Sequence, residues 1–398
     1  MKKLISVLLA LLMILSVAAA ALAEALPVTE LPITKDTGPE PVTAKIKEIN
    51  KHGNIHLEYK GSDMLAAGWK CGDIVNVIVG GKTLEMPLGT EFTDVEAGRM
   101  LCRIVIRPDM DEDYVSLVIN MGDFTTESGL AVKETTEEDP GFKWNYAEGI
   151  ENPEEITIAM KEPGGYYDQW TVRQLKRTTL REDYPHLGDE EYANFRMVKG
   201  GDIAEGRLYR SSSPVNPELG RNTQADRAAE DAGIRTVLNM VDSSEALQAY
   251  EGIGDSYTGK QKTILLQMDI DYRTEAYREG IAKGLRFLAE NEGPYLIHCL
   301  EGKDRTGFLC AVLECLAGAT EEEVVKDYMA TYANFYGVKE GTETYGIICE
   351  SNLFKPLKIS FGLETLEGAD LKVCAEEYLQ SIGLTAEEIA AVREKICN

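Results

Sequence analysis

The stretch His298-Cys-Leu-Glu-Gly-Lys-Asp-Arg-Thr-Gly307 lies between two apolar runs, Tyr295-Leu-Ile-His298 before it and Gly307-Phe-Leu-Cys-Ala-Val-Leu-Glu-Cys-Leu-Ala317 after it. The first run is short and bulky, as in a buried strand, and the second is long enough for a helix. A strand that feeds a helix through a tight loop is the repeating unit of a parallel α/β sheet. It sets the loop at the carboxyl end of the strand, where such sheets bind ligands. A helix N-terminus there gathers unpaired backbone N–H groups and the positive end of the helix dipole, which makes an anion site. The same field stabilises a thiolate at Cys299 and makes it a nucleophile. Arg305, separated from Cys299 by five residues, adds a planar fork that matches two oxygens of a phosphate.

The run His298-Cys-Leu-Glu-Gly-Lys-Asp-Arg-Thr-Gly307 resembles the signature loop of the bacterial cysteine-dependent protein tyrosine phosphatase family, in the subgroup with tyrosine, dual-specificity and lipid phosphatases. The resemblance implies a phosphocysteine enzyme. Cys299 attacks phosphorus, while the backbone of Leu300, Glu301, Gly302, Lys303 and Asp304, together with Arg305, holds the phosphoryl oxygens. Thr306 hydrogen-bonds the sulfur, and His298 orients the loop. Lys303 and Asp304 set this loop apart from most dedicated tyrosine phosphatases and suit substrates with more than one phosphate. Asp304 either assists as an acid or base or makes a salt bridge within the loop. A carboxylic acid must also stand opposite the loop to protonate the leaving oxygen. Met268-Asp-Ile-Asp-Tyr272 follows one strand and precedes a helix, so Asp271 is the first candidate and Asp269 the second. Upstream, Asn194-Phe-Arg196 and Gly206-Arg-Leu-Tyr-Arg-Ser-Ser-Ser213 extend the likeness and bring Arg210 to the site, as a substrate-binding group or in a structural salt bridge. Downstream, Asp327 to Tyr336 fits the same subgroup.

Outside this region the chain divides further. Lys2 and Lys3, an apolar run from Leu4 to Ala21 and the small-x-small unit Ala21-Leu22-Ala23 read as a signal peptide over 1–23. Residues 24–42 are rich in proline and polar groups and read as a flexible leader. Ile74-Val-Asn-Val-Ile-Val79, followed by Gly80-Gly81, is a strand with a hairpin turn. With Arg103–Ile106 and Tyr114–Ile119 it predicts a small all-β barrel or sandwich over 43–132. Residues 133–157, acidic and carrying Pro140 and Pro153, read as a linker, and 158–398 as the α/β phosphatase domain, a mainly parallel sheet flanked by helices.

A formal net charge of −26 argues against nucleic acid as a partner, because affinity there rests on Lys and Arg. It also means that an anionic substrate must be drawn by a local positive pocket. The eight cysteines show no metal-ligand spacing, and the chemistry calls for no metal and no cofactor. The expected enzyme is therefore an exported phosphoric monoester hydrolase. Its expected substrates are phosphotyrosine proteins or peptides, phosphoinositides or inositol phosphates, with no stable membrane span after signal cleavage. A secreted inositol polyphosphate phosphatase is the alternative, although loops of that kind usually carry Gly where this chain has Asp304. A non-catalytic phospho-binding module is a third reading, against which the presence of both Cys299 and Arg305 counts.

Overall fold

The computed structural model describes residues 38–96, 98–137, 140–150 and 154–398. The expected signal peptide, and the leader up to residue 37, lie outside the described residues.

The first part of the chain folds by two-residue alternation. In β3 (Ile74–Val79), Val75, Val77 and Val79 are buried while the residues between them are not. Gly80 and Gly81 turn the chain with φ of +57° and +76°, and β4 (Lys82–Gly89) returns in register, Val79 opposite Lys82. With β1 (Val42–Ile49), β2 (Ile55–Leu57), β5 (Met100–Arg107), β6 (Glu112–Ile119) and β9 (Glu155–Glu162), these strands close a barrel in the order β1-β2-β6-β5-β4-β3-β9. Strand β9 pairs back onto β1, and a core of aliphatic side chains around Trp69 fills the interior.

The stretch 133–157 is therefore not a linker. It carries most of β7 (Ala131–Thr135), which pairs with β8 (Phe142–Tyr146), and then the start of β9, the strand that closes the barrel. Ile156 and Ile158 point inward and alternate with outward-facing polar residues. That alternation is short, and the acidic residues around it hide it from a composition-based reading.

A helix, α1 (Tyr167–Arg173), leads away from the barrel. The chain then builds a second sheet from β10 (Arg196–Met197), β11 (Leu208–Ser211), β12 (Thr236–Asn239), β13 (Lys262–Leu265) and β14 (Tyr295–His298). Its order is β10-β11-β14-β12-β13, parallel throughout except for the antiparallel edge strand β10. Ser211 and Asn239 both lie opposite His298, so the loops after β11, β14 and β12 emerge side by side at one edge. Helices α2 (Asn222–Asp231), α3 (Glu275–Ala289), α4 (Asp304–Leu316), α5 (Glu321–Tyr336), α6 (Glu343–Ile348), α7 (Leu371–Ser381) and α8 (Ala386–Cys397) surround it. Every residue of α4 from Thr306 to Leu316 is buried, including Cys310 and Cys315, so this helix runs through the core rather than over it.

Candidate active site

Cys299 follows β14, the middle strand of the sheet, and is buried. The loop after it is fixed from behind, one carbonyl at a time. The Leu300 carbonyl accepts from the Ser213 amide at 3.0 Å, and the Glu301 carbonyl from Asn194 Nδ2 at 3.0 Å. The Gly302 carbonyl accepts from Arg210 Nη2 at 2.7 Å, and the Lys303 carbonyl from the Gly307 amide at 2.7 Å. In a planar peptide the C=O and the next N–H point opposite ways. Carbonyls tied outward therefore turn the amides that follow them inward. The amides from Leu300 to Arg305 meet no protein acceptor among the described residues. With the N-terminus of α4 behind them they form a concave cluster of donors.

Gly302 makes the turn possible. Its φ is +71°, and a Cβ there would stand 2.1 Å from the Ser211 carbonyl oxygen. Gly307 is needed for packing, since a Cβ would fall 2.7 Å from the Tyr328 ring on α5.

Arg210 lies behind the loop. It is 1% exposed, bonds the Gly302 carbonyl and pairs with Asp327. Arg196 Nε holds the other oxygen of Asp327 at 2.7 Å. Burial would raise the Asp327 carboxyl, but the two guanidiniums outweigh it and hold the group below the usual carboxylate range. The structure thus corrects the substrate-binding reading of Arg210. The residue is the structural alternative, a strut under the loop.

Around the mouth, Glu301 accepts from Arg177 Nε at 2.6 Å and from the Tyr336 hydroxyl at 2.9 Å, and lies 3.2 Å from Lys303 Nζ. Lys303 also lies 3.7 Å from Asp304 and sits 5.6 Å and 5.5 Å over the rings of Tyr332 and Tyr336. Burial pulls the Lys303 ammonium down, but Asp304 and Glu301 more than offset that and hold it above its ordinary value. Lys303 is therefore a fixed cation whose charge two carboxylates share, and Asp304 takes part in the salt bridge within the loop. Arg177 has no signal in the sequence, because it stands 124 residues from its partner in an irregular segment.

Arg305 donates from Nη1 to the Met268 carbonyl at 2.8 Å, and its Nε is buried without a partner among the described residues. This bond brings Met268-Asp-Ile-Asp-Tyr272 against the signature loop. Asp269 directly follows Met268, is exposed and accepts from the Asp271 amide at 2.9 Å. Asp271 is committed elsewhere. Both its oxygens accept from Arg273, each at 2.8 Å, and that pairing lowers its carboxyl below the ordinary value. His298 is buried with Nδ1 3.3 Å from the Cys299 carbonyl oxygen, and desolvation pushes it down to about 4, so the ring is neutral at pH 7. The Thr306 hydroxyl approaches Met240 Sδ at 4.0 Å rather than the Cys299 sulfur.

The part of the chain that carries this site is similar to known proteins. A family model described as the tyrosine phosphatase family matches residues 190–398. A tyrosine-protein phosphatase of Nostoc commune is 31% identical over 134 residues, which cover 28% of this chain and 45% of that protein. The triple specificity protein phosphatase PtpB of Mycobacterium tuberculosis is 26% identical over 214 residues, 50% of this chain and 69% of that protein. Among solved structures, TpbA of P. aeruginosa aligns at 19% identity over 52% of this chain and 92% of that one, with a TM-score of 0.24. The family match takes in Asn194, Arg196, Arg210, Met268, the whole signature loop and Asp327, and on that match the chain belongs to the tyrosine phosphatase family.

Proposed function

We propose that the protein hydrolyses phosphate monoesters, phosphotyrosine foremost, through a phosphocysteine intermediate. The observation that carries this is the signature loop itself: its carbonyls are tied outward, its amides are left free, and Cys299 and Arg305 stand at its two ends. The relatives named as a tyrosine-protein phosphatase and a triple specificity protein phosphatase support it.

In the first step the Cys299 sulfur attacks phosphorus, the S–P bond forms and the bond to the leaving oxygen breaks. The loop amides and the Arg305 fork hold the three remaining oxygens as charge spreads over them. Asp269 protonates the leaving oxygen. We prefer it to Asp271, because a carboxylate paired with Arg273 and pulled down by it is a poor acid. In the second step Asp269 takes a proton from water, which attacks phosphorus and releases phosphate and the thiolate.

The half-buried Tyr336 ring beside the loop favours an aryl ester. The neutralisation of Lys303 by Glu301 and Asp304 weighs against a polyphosphorylated substrate. The test is hydrolysis of a phosphotyrosine peptide, phosphatidylinositol phosphates and phytate, side by side with Cys299→Ser. Phosphotyrosine should be preferred and all turnover lost in the variant. Preference for phytate would select the inositol polyphosphate reading. Binding without turnover would select the phospho-binding module.

We also infer export, from Lys2, Lys3 and the apolar run to Ala21. N-terminal sequencing of the mature chain should begin near Glu24, and a start at Met1 would refute it.

A further inference from the structure

The barrel carries a second concave site, where the loop between β1 and β2 meets the loop after β6. Asn54 directly precedes β2 and Asn120 directly follows β6, and the register of Ile55 opposite Leu117 sets the two loops side by side. Gly53 allows their close approach. Its φ is +79°, and a Cβ there would fall 1.8 Å from Asp123 Oδ1. Thr125 ties the loops together, since its amide and its hydroxyl both donate to the Gly53 carbonyl, at 3.0 Å and 2.8 Å. Between the loops opens a cavity of about 600 Å³, a usual size for a small-molecule site, with Phe92, Ile119 and Met121 as its apolar wall.

Asn54 is what points to a ligand. Its backbone N–H is bonded to Asn50 Oδ1 at 3.2 Å and its carbonyl to the Asn50 amide at 3.0 Å. Its side-chain amide makes no hydrogen bond among the described residues, although the residue is only 9% exposed. Neither atom of that amide is sealed from solvent, so the group faces the cavity that the residue lines. An amide so deep in a wall calls for a partner. Asn120 gives its Nδ2 to the Val95 carbonyl at 2.9 Å and keeps its side-chain oxygen free among the described residues. Met121 stands on a left-handed backbone, φ +59°, with its surface 90% exposed, an uncommon setting for a bulky side chain.

The lining selects the chemistry. It contains no Lys or Arg to hold an anion, and His52 stands exposed at its rim. Its one formal charge, Asp123, is committed to Thr126, whose amide and hydroxyl each donate to it at 2.9 Å. The fitting ligand is therefore uncharged. Asn54 offers a donor and an acceptor, and Asn120 offers a second acceptor. A secondary amide is trans and points its C=O and N–H opposite ways, so it takes its two partners from two sides. One acceptor is then left for an O–H. The Arg103 guanidinium, 4.5 Å from the Phe92 ring centroid, covers one face of that ring. At most one face remains, which suits a body that is apolar on one side and polar on the other, rather than a nucleobase with two faces to cover.

We infer that this cavity binds an N-acetylated amino sugar. The acetamido carbonyl accepts from Asn54 Nδ2, the acetamido N–H donates to Asn120 Oδ1, and a ring hydroxyl donates to Asn54 Oδ1. The C–H face of the sugar ring lies on Phe92, with Met121 against it. Every lining residue falls between 52 and 123, so the seat belongs to the barrel and not to the signature loop.

The test uses the full chain carrying ¹³C-methyl methionine, with the methyl β-glycoside of N-acetylglucosamine as the probe. The Met121 methyl reports the cavity. Met64 and Met86, buried in the barrel core, report its fold, and Met268, whose carbonyl Arg305 holds, reports the signature loop. The probe should shift Met121 saturably and leave Met268 in place. Methyl β-glucoside, which lacks the acetamido group, should bind at least about tenfold more weakly, the share of one or two net hydrogen bonds. Asn54→Asp, which keeps the shape and removes the donor, and Asn54→Leu should each weaken binding by about the same factor, with phosphotyrosine turnover unchanged. The inference is overturned if Met121 does not respond, or if Met268 moves in its place. It is also overturned if the glucoside binds equally, if adenosine or N-acetyl-leucine amide binds more tightly than the sugar, or if Asn54→Asp binds as wild type does. Should Met64 and Met86 show that Asn54→Leu is unfolded, Asn54→Asp decides.

Discussion

Gly302 combines a φ of +71° with 2.1 Å between an added Cβ and the Ser211 carbonyl, so no side chain fits without moving the loop. Gly302→Ala should lower turnover on the order of a hundredfold or more, since displacing reacting groups by about 1 Å costs that much; steady-state kinetics on a phosphotyrosine peptide reads it. Asp269→Asn should cost roughly 10²–10⁴-fold in kcat, the usual share of a general acid, while Asp271→Asn stays within a few-fold. The reverse order would return the role to Asp271. His298 gives a stability prediction. Its folded value is about 4 against an ordinary 6.5, so between these values the unfolded chain binds the proton and the folded chain does not. Stability from this residue is therefore full above pH 6.5 and falls as pH drops towards 4, by on the order of a few kcal/mol. His298→Asn should flatten that part of the denaturation-midpoint profile relative to wild type. Cys299 and Arg305 were legible because their chemistry is written in one unbroken stretch. The choice between Asp269 and Asp271 was not, because it turns on the Arg273 side chain, whose direction no spacing encodes.

Elements with strong periodicity were read well from the chain. The helical spacing of Ile281, Leu285 and Leu288 places all three on the buried side of α3, and the Thr320-Glu-Glu-Glu323 capping box opens α5. Strand β9 was missed because its alternation is short and lies at the end of an acidic stretch. The strut under the loop was half legible. Arg210 was placed near the site, but its partner Asp327 comes from α5, 117 residues on, and only the fold brings the two together. Breaking a buried pair strands the surviving charge. Asp327→Asn should therefore cost about 3–5 kcal/mol of stability, measured by denaturant unfolding, and a loss under ~1 kcal/mol would mean that the network does not carry the loop.

At the scale of the whole molecule, the barrel reaches the signature loop through α1 and the segment after it. Asp94, buried in the barrel, accepts from Trp170 Nε1 at 3.3 Å and from Gln174 Nε2 at 2.9 Å, and Arg173 pairs with Glu96. Arg177, three residues beyond Gln174, then holds Glu301. Asp94→Ala should speed hydrogen exchange over 166–177 and raise KM more than it lowers kcat; unchanged exchange there would show that the barrel does not hold this segment. A chain of net charge −26 also repels its own anionic substrate at long range. Salt shortens the Debye length from about 30 Å at 0.01 M to about 8 Å at 0.15 M, so kcat/KM for a phosphotyrosine peptide should rise over that range. The central claim is the covalent step at Cys299. Its direct measurement is rapid quench of the enzyme with a ³²P-labelled phosphotyrosine peptide, followed by mapping of the label. Transient label on the peptide that contains Cys299, absent from Cys299→Ser, is the predicted result, and turnover with no label on that peptide would contradict it.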